Sequence, residues 1–363
     1  MSSLNPVISV EGSHYDCGFM HGEQCRDMIQ SNISYYLNYW SQNMGISATR
    51  VRENAETILR ETRQYAPHLV DELQGVADGS HSDINAVAAI NGRYELAWGS
   101  PKQLLGGCTC IAATPQATNN GGTLLAQNWD YRLGVKQGLI VLDVKAEGKP
   151  RIVMHTEAGI IGHKGMNSHG LGILLNAMVS DRDHLGESVP FFIVCRRMLE
   201  VETLEAAVGA FLNAKRTVSY NVMAAMKGGV ALDLEAHPMD VSVITPRDGV
   251  LAHTNHFIGS KSLSVRDEFV KMEPSSVTRL LKAYSRLEED NGRHTPGTFR
   301  AVLRDHFGYP KSICYHPDPA HSPVLREETL CSVLMELDEG RFHYTDGPPC
   351  VNPYKVFSFT SLS

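Results

Sequence analysis

The chain has no run of five or six like charges, no stretch of the ~18 apolar residues that cross a bilayer, and no basic segment leading into an apolar run near its start. A charged interaction tail, a membrane-spanning helix and a secretory signal are therefore not expected. The formal charge of −7 disfavours nucleic acid and anionic membrane as partners, since both recruit basic patches. A cytoplasmic location is expected. The closing Ser-Leu-Ser resembles the peroxisomal tripeptide SKL only in outline, because Leu362 stands where a basic residue belongs. CxxC pairs are missing too, and the eight cysteines are scattered, so neither a disulfide framework nor a metal site is expected. Three common signatures fail in detail. Met166 spoils Gly-x-Ser-x-Gly at 166–170, His-Glu-x-x-His does not occur, and Gly-Leu-Gly-Ile-Leu-Leu lacks the third glycine of a dinucleotide loop.

What is present is a change of texture near residue 107. Before it the pattern is helical, after a short strand at 7–10: helices are expected at 22–44, 49–65, 68–77 and 84–98, the last with Asp83 as N-cap. Residues 99–107, rich in Gly, Ser and Pro, read as an exposed loop. From Cys108 onward, apolar runs separated by turns predict strands. Helices are expected near 190–200, 203–213, 265–288 and 297–306, with a hairpin at 328–347 and a last strand at 354–360. Strands grouped with strands and helices with helices predict an α+β fold, here a single domain spanning 1–363.

The junction itself carries chemistry. In Gly106-Gly107-Cys108, two residues without β-carbons precede a thiol, so the 107–108 peptide bond can be approached closely. Attack by the Cys108 sulfur on the Gly107 carbonyl would move the acyl group from nitrogen to sulfur. Hydrolysis would then leave Cys108 with a free α-amine of pKa about 8, a built-in general base for a thiol that is otherwise a few per cent ionised.

The flanking motifs extend this reading. Gly107-Cys108-Thr109, Gln-Asn-Trp-Asp at 127–130, Thr-Glu-Ala-Gly-Ile-Ile-Gly at 156–162, His-Thr-Asn-His at 253–256 and Tyr-Pro-Lys-Ser-Ile-Cys at 309–314 follow in order. With Gly18-Phe19-Met20-His21-Gly22 near the start, the chain resembles the isopenicillin-N acyltransferase family of N-terminal-nucleophile hydrolases. The resemblance implies a four-layer α-β-β-α sandwich, cut between Gly107 and Cys108 into an α fragment (1–107) and a β fragment (108–363). It implies Cys108 as nucleophile, Asn255 as oxyanion donor and Asp130 as a substrate-binding or amine-positioning residue. With an α-amine as base, no histidine is required; His253 and His256 are expected to support Asn255 structurally, and the other histidines to lie mostly at the surface. Tyr315 stands where the family has arginine, and tyrosine offers no permanently charged fork, so a β-lactam carboxylate substrate does not follow.

Three functions are compatible with this pattern. One is acyl transfer to a small-molecule amine, with a coenzyme A thioester as co-substrate and no permanently bound cofactor. Another is hydrolysis of N-acyl amino acids or small peptides. The last is a non-catalytic binding paralogue.

Overall fold

The computed structural model describes residues 5–97, 106–259 and 264–359. The loop expected at 99–107 lies, for 99–105, outside the described residues, as does the Ser-Leu-Ser tail. In chain order the elements are β1 (Val7–Gly12), α1 (His14–Gln24), α2 (Arg26–Met44), α3 (Ala48–Tyr65), α4 (Pro67–Ser80), α5 (Ile84–Asn91), α6 (Arg93–Leu96), β2 (Cys108–Ala113), β3 (Leu124–Arg132), β4 (Leu139–Ala146), β5 (Ile152–Glu157), β6 (Gly165–Asn167) and β7 (Leu171–Ala177). They continue with α7 (Phe191–Leu199), α8 (Leu204–Asn213), β8 (Tyr220–Met226), β9 (Val230–His237), β10 (Asp240–Ile244), β11 (Val250–His253), α9 (Phe269–Met272), α10 (Ser275–Glu289), α11 (Pro296–Leu303), β12 (Glu327–Glu336), β13 (Arg341–Tyr344) and β14 (Lys355–Ser358). No helix among the described residues is long and apolar enough to cross a membrane.

The chain groups into two compact units. The first contains Met1–Leu104, Gly134–Asn167 and Asp183–Val218. In it β1 pairs in parallel with β4, and β5 and β6 extend the sheet antiparallel. Helix α1 lies on β1 and β4, and α7 on β6. Helices α1 and α4 approach backbone to backbone. A Cβ on Gly18 would sit 2.0 Å from the Glu72 carbonyl oxygen, and one on Gly22 would sit 2.5 Å from that of Val76. That close approach explains both glycines of Gly18-Phe19-Met20-His21-Gly22. The helix expected over 22–44 is two helices meeting at Cys25, and Asp83 does cap α5 by accepting from Asn85 N–H.

The second unit contains Leu105–Leu133, Ser168–Arg182 and Ser219–Ser363. Strands β7, β8, β9 and β10 form an antiparallel meander. A six-stranded antiparallel sheet runs in the order β11-β2-β3-β12-β13-β14. Strand β7 lies against β2 and β3, so two sheets face each other, and Gln127 Nε2 crosses the gap to donate to Leu175 O at 2.5 Å. Helices α10 and α11 cover the outer face of the second sheet. Ile111, Ala126, Leu280, Ala283, Leu287, Phe299 and Val302 form the apolar core beneath them. The fold class is α+β: helices pack on a sheet in the first unit, and in the second two sheets face each other with helices on the outer face of one.

Candidate active site

Cys108 opens β2 and is 3% exposed. The peptide bond before it is held at both ends. Asp130 N–H donates to Gly107 O at 2.8 Å, and Cys108 N–H donates to Asn255 Oδ1 at 2.9 Å. The two glycines are dictated by Asp130. A Cβ on Gly106 would lie 2.7 Å from Asp130 O, and one on Gly107 would lie 2.8 Å from Asp130 Oδ2. No side chain fits at either position without displacing the aspartate.

Asn255 lies two residues beyond β11. Its Nδ2 donates to Ala177 O at 3.0 Å, while its oxygen accepts from Cys108 N–H and from Arg279 Nη2, a pattern that fixes the orientation of the amide. The surrounding His-Thr-Asn-His segment is pinned: Asn255 N–H donates to Ser276 Oγ, and His256 Nδ1 lies 2.8 Å from the same hydroxyl. His253 Nε2 lies 2.9 Å from Glu235 Oε1. Burial would lower the pKa of His253, but Asp233 and Glu235 outweigh it and hold the ring above its ordinary value. The other histidines are not mostly at the surface: His21, His155, His163 and His294 are fully or almost fully buried.

Asp130, on β3, is fully buried. Its Oδ1 accepts from Thr329 Oγ1 at 2.6 Å, and its Oδ2, facing Gly107, has no hydrogen-bond partner. Burial pushes its carboxyl up to about 7, against the opposing pull of Arg279 and Thr329. Thr329 sits where the β12 register shifts, and its hydroxyl also accepts from Tyr315 N–H. Asn128 Nδ2 ties β3 to the carbonyls of Leu303 and Ile313. Each polar residue of Gln-Asn-Trp-Asp thus secures a separate segment around the site. The Thr-Glu-Ala-Gly-Ile-Ile-Gly motif serves the first unit instead. Glu157 Oε2 accepts from Tyr36 OH, and Asn91 Oδ1 accepts from Ile161 N–H.

Arg279 completes the site and carries no sequence motif. It is 1% exposed on α10, and its Nη1 donates to Cys108 O at 2.7 Å and to Thr109 Oγ1 at 3.1 Å, while Nη2 reaches Asn255 Oδ1 at 3.0 Å. The available signal was a cation in a buried stripe, since Ser276, Leu280, Ala283 and Leu287 share its helix face. Arg279→Met is expected to lower the unfolding free energy by about 3 kcal/mol, because it strands several buried acceptors and removes the cation that favours ionised Asp130. Urea unfolding of the variant beside the unsubstituted chain measures this.

A family model described as acyl-coenzyme A:6-aminopenicillanic acid acyl-transferase matches residues 117–349. The 40 kDa form of acyl-coenzyme A:6-aminopenicillanic-acid-acyltransferase from Emericella nidulans is 28% identical over 322 residues, covering 85% of this chain and 84% of that one. Among solved structures, penicillin V acylase from Agrobacterium tumefaciens aligns with TM-score 0.47 and 14% identity, over 70% of this chain and 87% of that one. A mutant conjugated bile acid hydrolase from Clostridium perfringens aligns with TM-score 0.46 and 14% identity, over 70% of this chain and 97% of that one.

Proposed function

The chain belongs to the acyl-coenzyme A:6-aminopenicillanic acid acyltransferase family, and we propose that it cleaves itself before Cys108 and then carries acyl groups as a Cys108 thioester. The observation that carries this reading is the strapped 107–108 peptide bond, with Asn255 on its nitrogen, Asp130 N–H on its carbonyl oxygen and Arg279 on the next carbonyl. In the first step Cys108 Sγ bonds to the Gly107 carbonyl carbon, the C–N bond breaks, and the thiol proton ends on the departing nitrogen. A carboxyl of pKa near 7 is suited to carry that proton, and Asp130 Oδ2 faces Gly107. Water then releases the 1–107 fragment. The two fragments stay joined, because β1 from the first pairs with β4 from the second.

In turnover the new α-amine takes the place of the Cys108 amide. Asn255 Oδ1 orients it by accepting one of its hydrogens, and the amine draws the proton from the thiol. An acyl-coenzyme A thioester loads the sulfur, coenzyme A leaves as the thiol, and a small-molecule amine takes the acyl group. As oxyanion donor, Asn255 Nδ2 has to exchange its bond to Ala177 O for the developing charge. Hydrolysis of an N-acyl substrate uses the same sulfur, with water as acceptor. None of the eight cysteines is in a disulfide, which suits a reducing compartment such as the cytoplasm.

The test is mass spectrometry of processed protein mixed with an acyl-coenzyme A. An acyl adduct on Cys108 is expected, with coenzyme A release that rises when an amine is added. Release that is equally fast without amine assigns hydrolysis, and no adduct under any donor removes the thioester.

A further inference from the structure

Outside the candidate active site, four side chains from two loops converge. His306 follows α11, Cys314 and His316 precede β12, and Cys350 lies between β13 and β14. One ligand atom from each, two sulfurs and two nitrogens, lies within 4.8 Å of all the others. His306 Nε2 is 3.0 Å from His316 Nε2, and His316 Nε2 is 3.6 Å from Cys314 Sγ and 3.5 Å from Cys350 Sγ. For a tetrahedral zinc ion, metal–ligand lengths of about 2.3 Å to sulfur and 2.05 Å to nitrogen set ligand–ligand edges of about 3.4 Å between nitrogens and about 3.6 Å between nitrogen and sulfur. The three spacings around His316 match those edges to within a few tenths of an ångström.

We propose that His306, Cys314, His316 and Cys350 form a structural zinc site of two cysteines and two histidines. This departs from the expectation of no metal drawn from the scattered cysteines. Four groups that all offer lone pairs to one point are poorly satisfied by one another, because two imidazole nitrogens share at most one proton. A divalent cation satisfies all four, and soft sulfur with imidazole selects zinc among common ions. The two other histidine-carboxylate clusters have their charges taken up within the protein, Glu200 by Arg196 and Glu235 by the amides of Ile258 and Gly259. Zinc at this site staples the loop before β12 to the loop before β14. It thereby fixes Tyr315, whose N–H meets Thr329, the hydrogen-bond donor to Asp130.

Metal analysis of full-length protein purified under reducing conditions is expected to find about one zinc per chain. It should be retained in Cys108→Ala and lost in Cys314→Ser and Cys350→Ser. His306→Ala, at an exposed ligand, should keep the fold and release zinc to a chelator at least about tenfold more readily. If the serine variants do not fold, cobalt loading of the wild type decides, because a tetrahedral site with two sulfurs gives intense visible bands and sulfur-to-cobalt charge transfer. A reduced wild-type chain that binds neither metal stoichiometrically overturns the proposal, as does a native Cys314–Cys350 disulfide.

Discussion

A Cys108→Ala chain is expected to stay a single 40.0 kDa species while the wild type yields fragments of about 12 and about 28 kDa, in proportion to length. The substitution removes one buried sulfur from a residue whose backbone bonds, to Asn255 through its N–H and from Arg279 at its carbonyl, are untouched. The cost in stability is therefore about 1 kcal/mol, and loss of cleavage reports chemistry, not unfolding. Cys108→Ser keeps an attacking atom of lower acidity and should cleave more slowly than the wild type, but at the same bond. Edman sequencing of the wild-type large fragment should begin Cys-Thr-Cys-Ile-Ala. Denaturing gels decide the matter: a Cys108→Ala chain still cut at this bond would require a nucleophile other than the sulfur.

Elements with a strong local period were legible, and breaks within them were not. Strands β2 to β5 alternate or run apolar between turns, and the β12–β13 hairpin shows the same texture. The expected helix over 84–98 is broken at Gly92 into α5 and α6, where a Cβ would meet Ile58 Cδ1 at 2.1 Å, a tertiary contact with no local trace. The helix expected over 265–288 is α9 and α10, divided at Pro274, where the missing N–H of proline overrides the apolar spacing. Strand β6 is only three residues long, too short to show a period. At the site, Asn255 lies 147 residues from Cys108 in sequence, and nothing local relates them. Only resemblance linked those two residues and Asp130. Arg279 lacked any motif and became visible through its burial. The zinc ligands are spread from 306 to 350 on two loops, so their spacing resembles no finger pattern.

Asp130→Asn is expected to slow self-cleavage by about 100-fold or more and to erase its pH midpoint. Burial dominates this carboxyl and lifts it from 3.8 to about 7, so the folded chain prefers it protonated. Its contribution to stability is fully present below about pH 4 and is lost as pH rises through about 7. The loss amounts to as much as about 4 kcal/mol, from about 1.4 kcal/mol per pH unit. The base required for cleavage is the opposite, ionised form. Wild-type cleavage should therefore be half-maximal near pH 7 and fall about tenfold per unit below it, so acid conditions store an intact and more stable precursor. Asparagine keeps an acceptor for Thr329 Oγ1 but cannot ionise. In a Cys108→Ala background it should flatten the decline of the urea midpoint between pH 5 and pH 8. Rates of fragment formation across that range, for wild type and Asp130→Asn, separate the two roles. A wild-type profile that is flat through pH 7, or an asparagine variant that keeps the wild-type midpoint, assigns the proton transfer to another group.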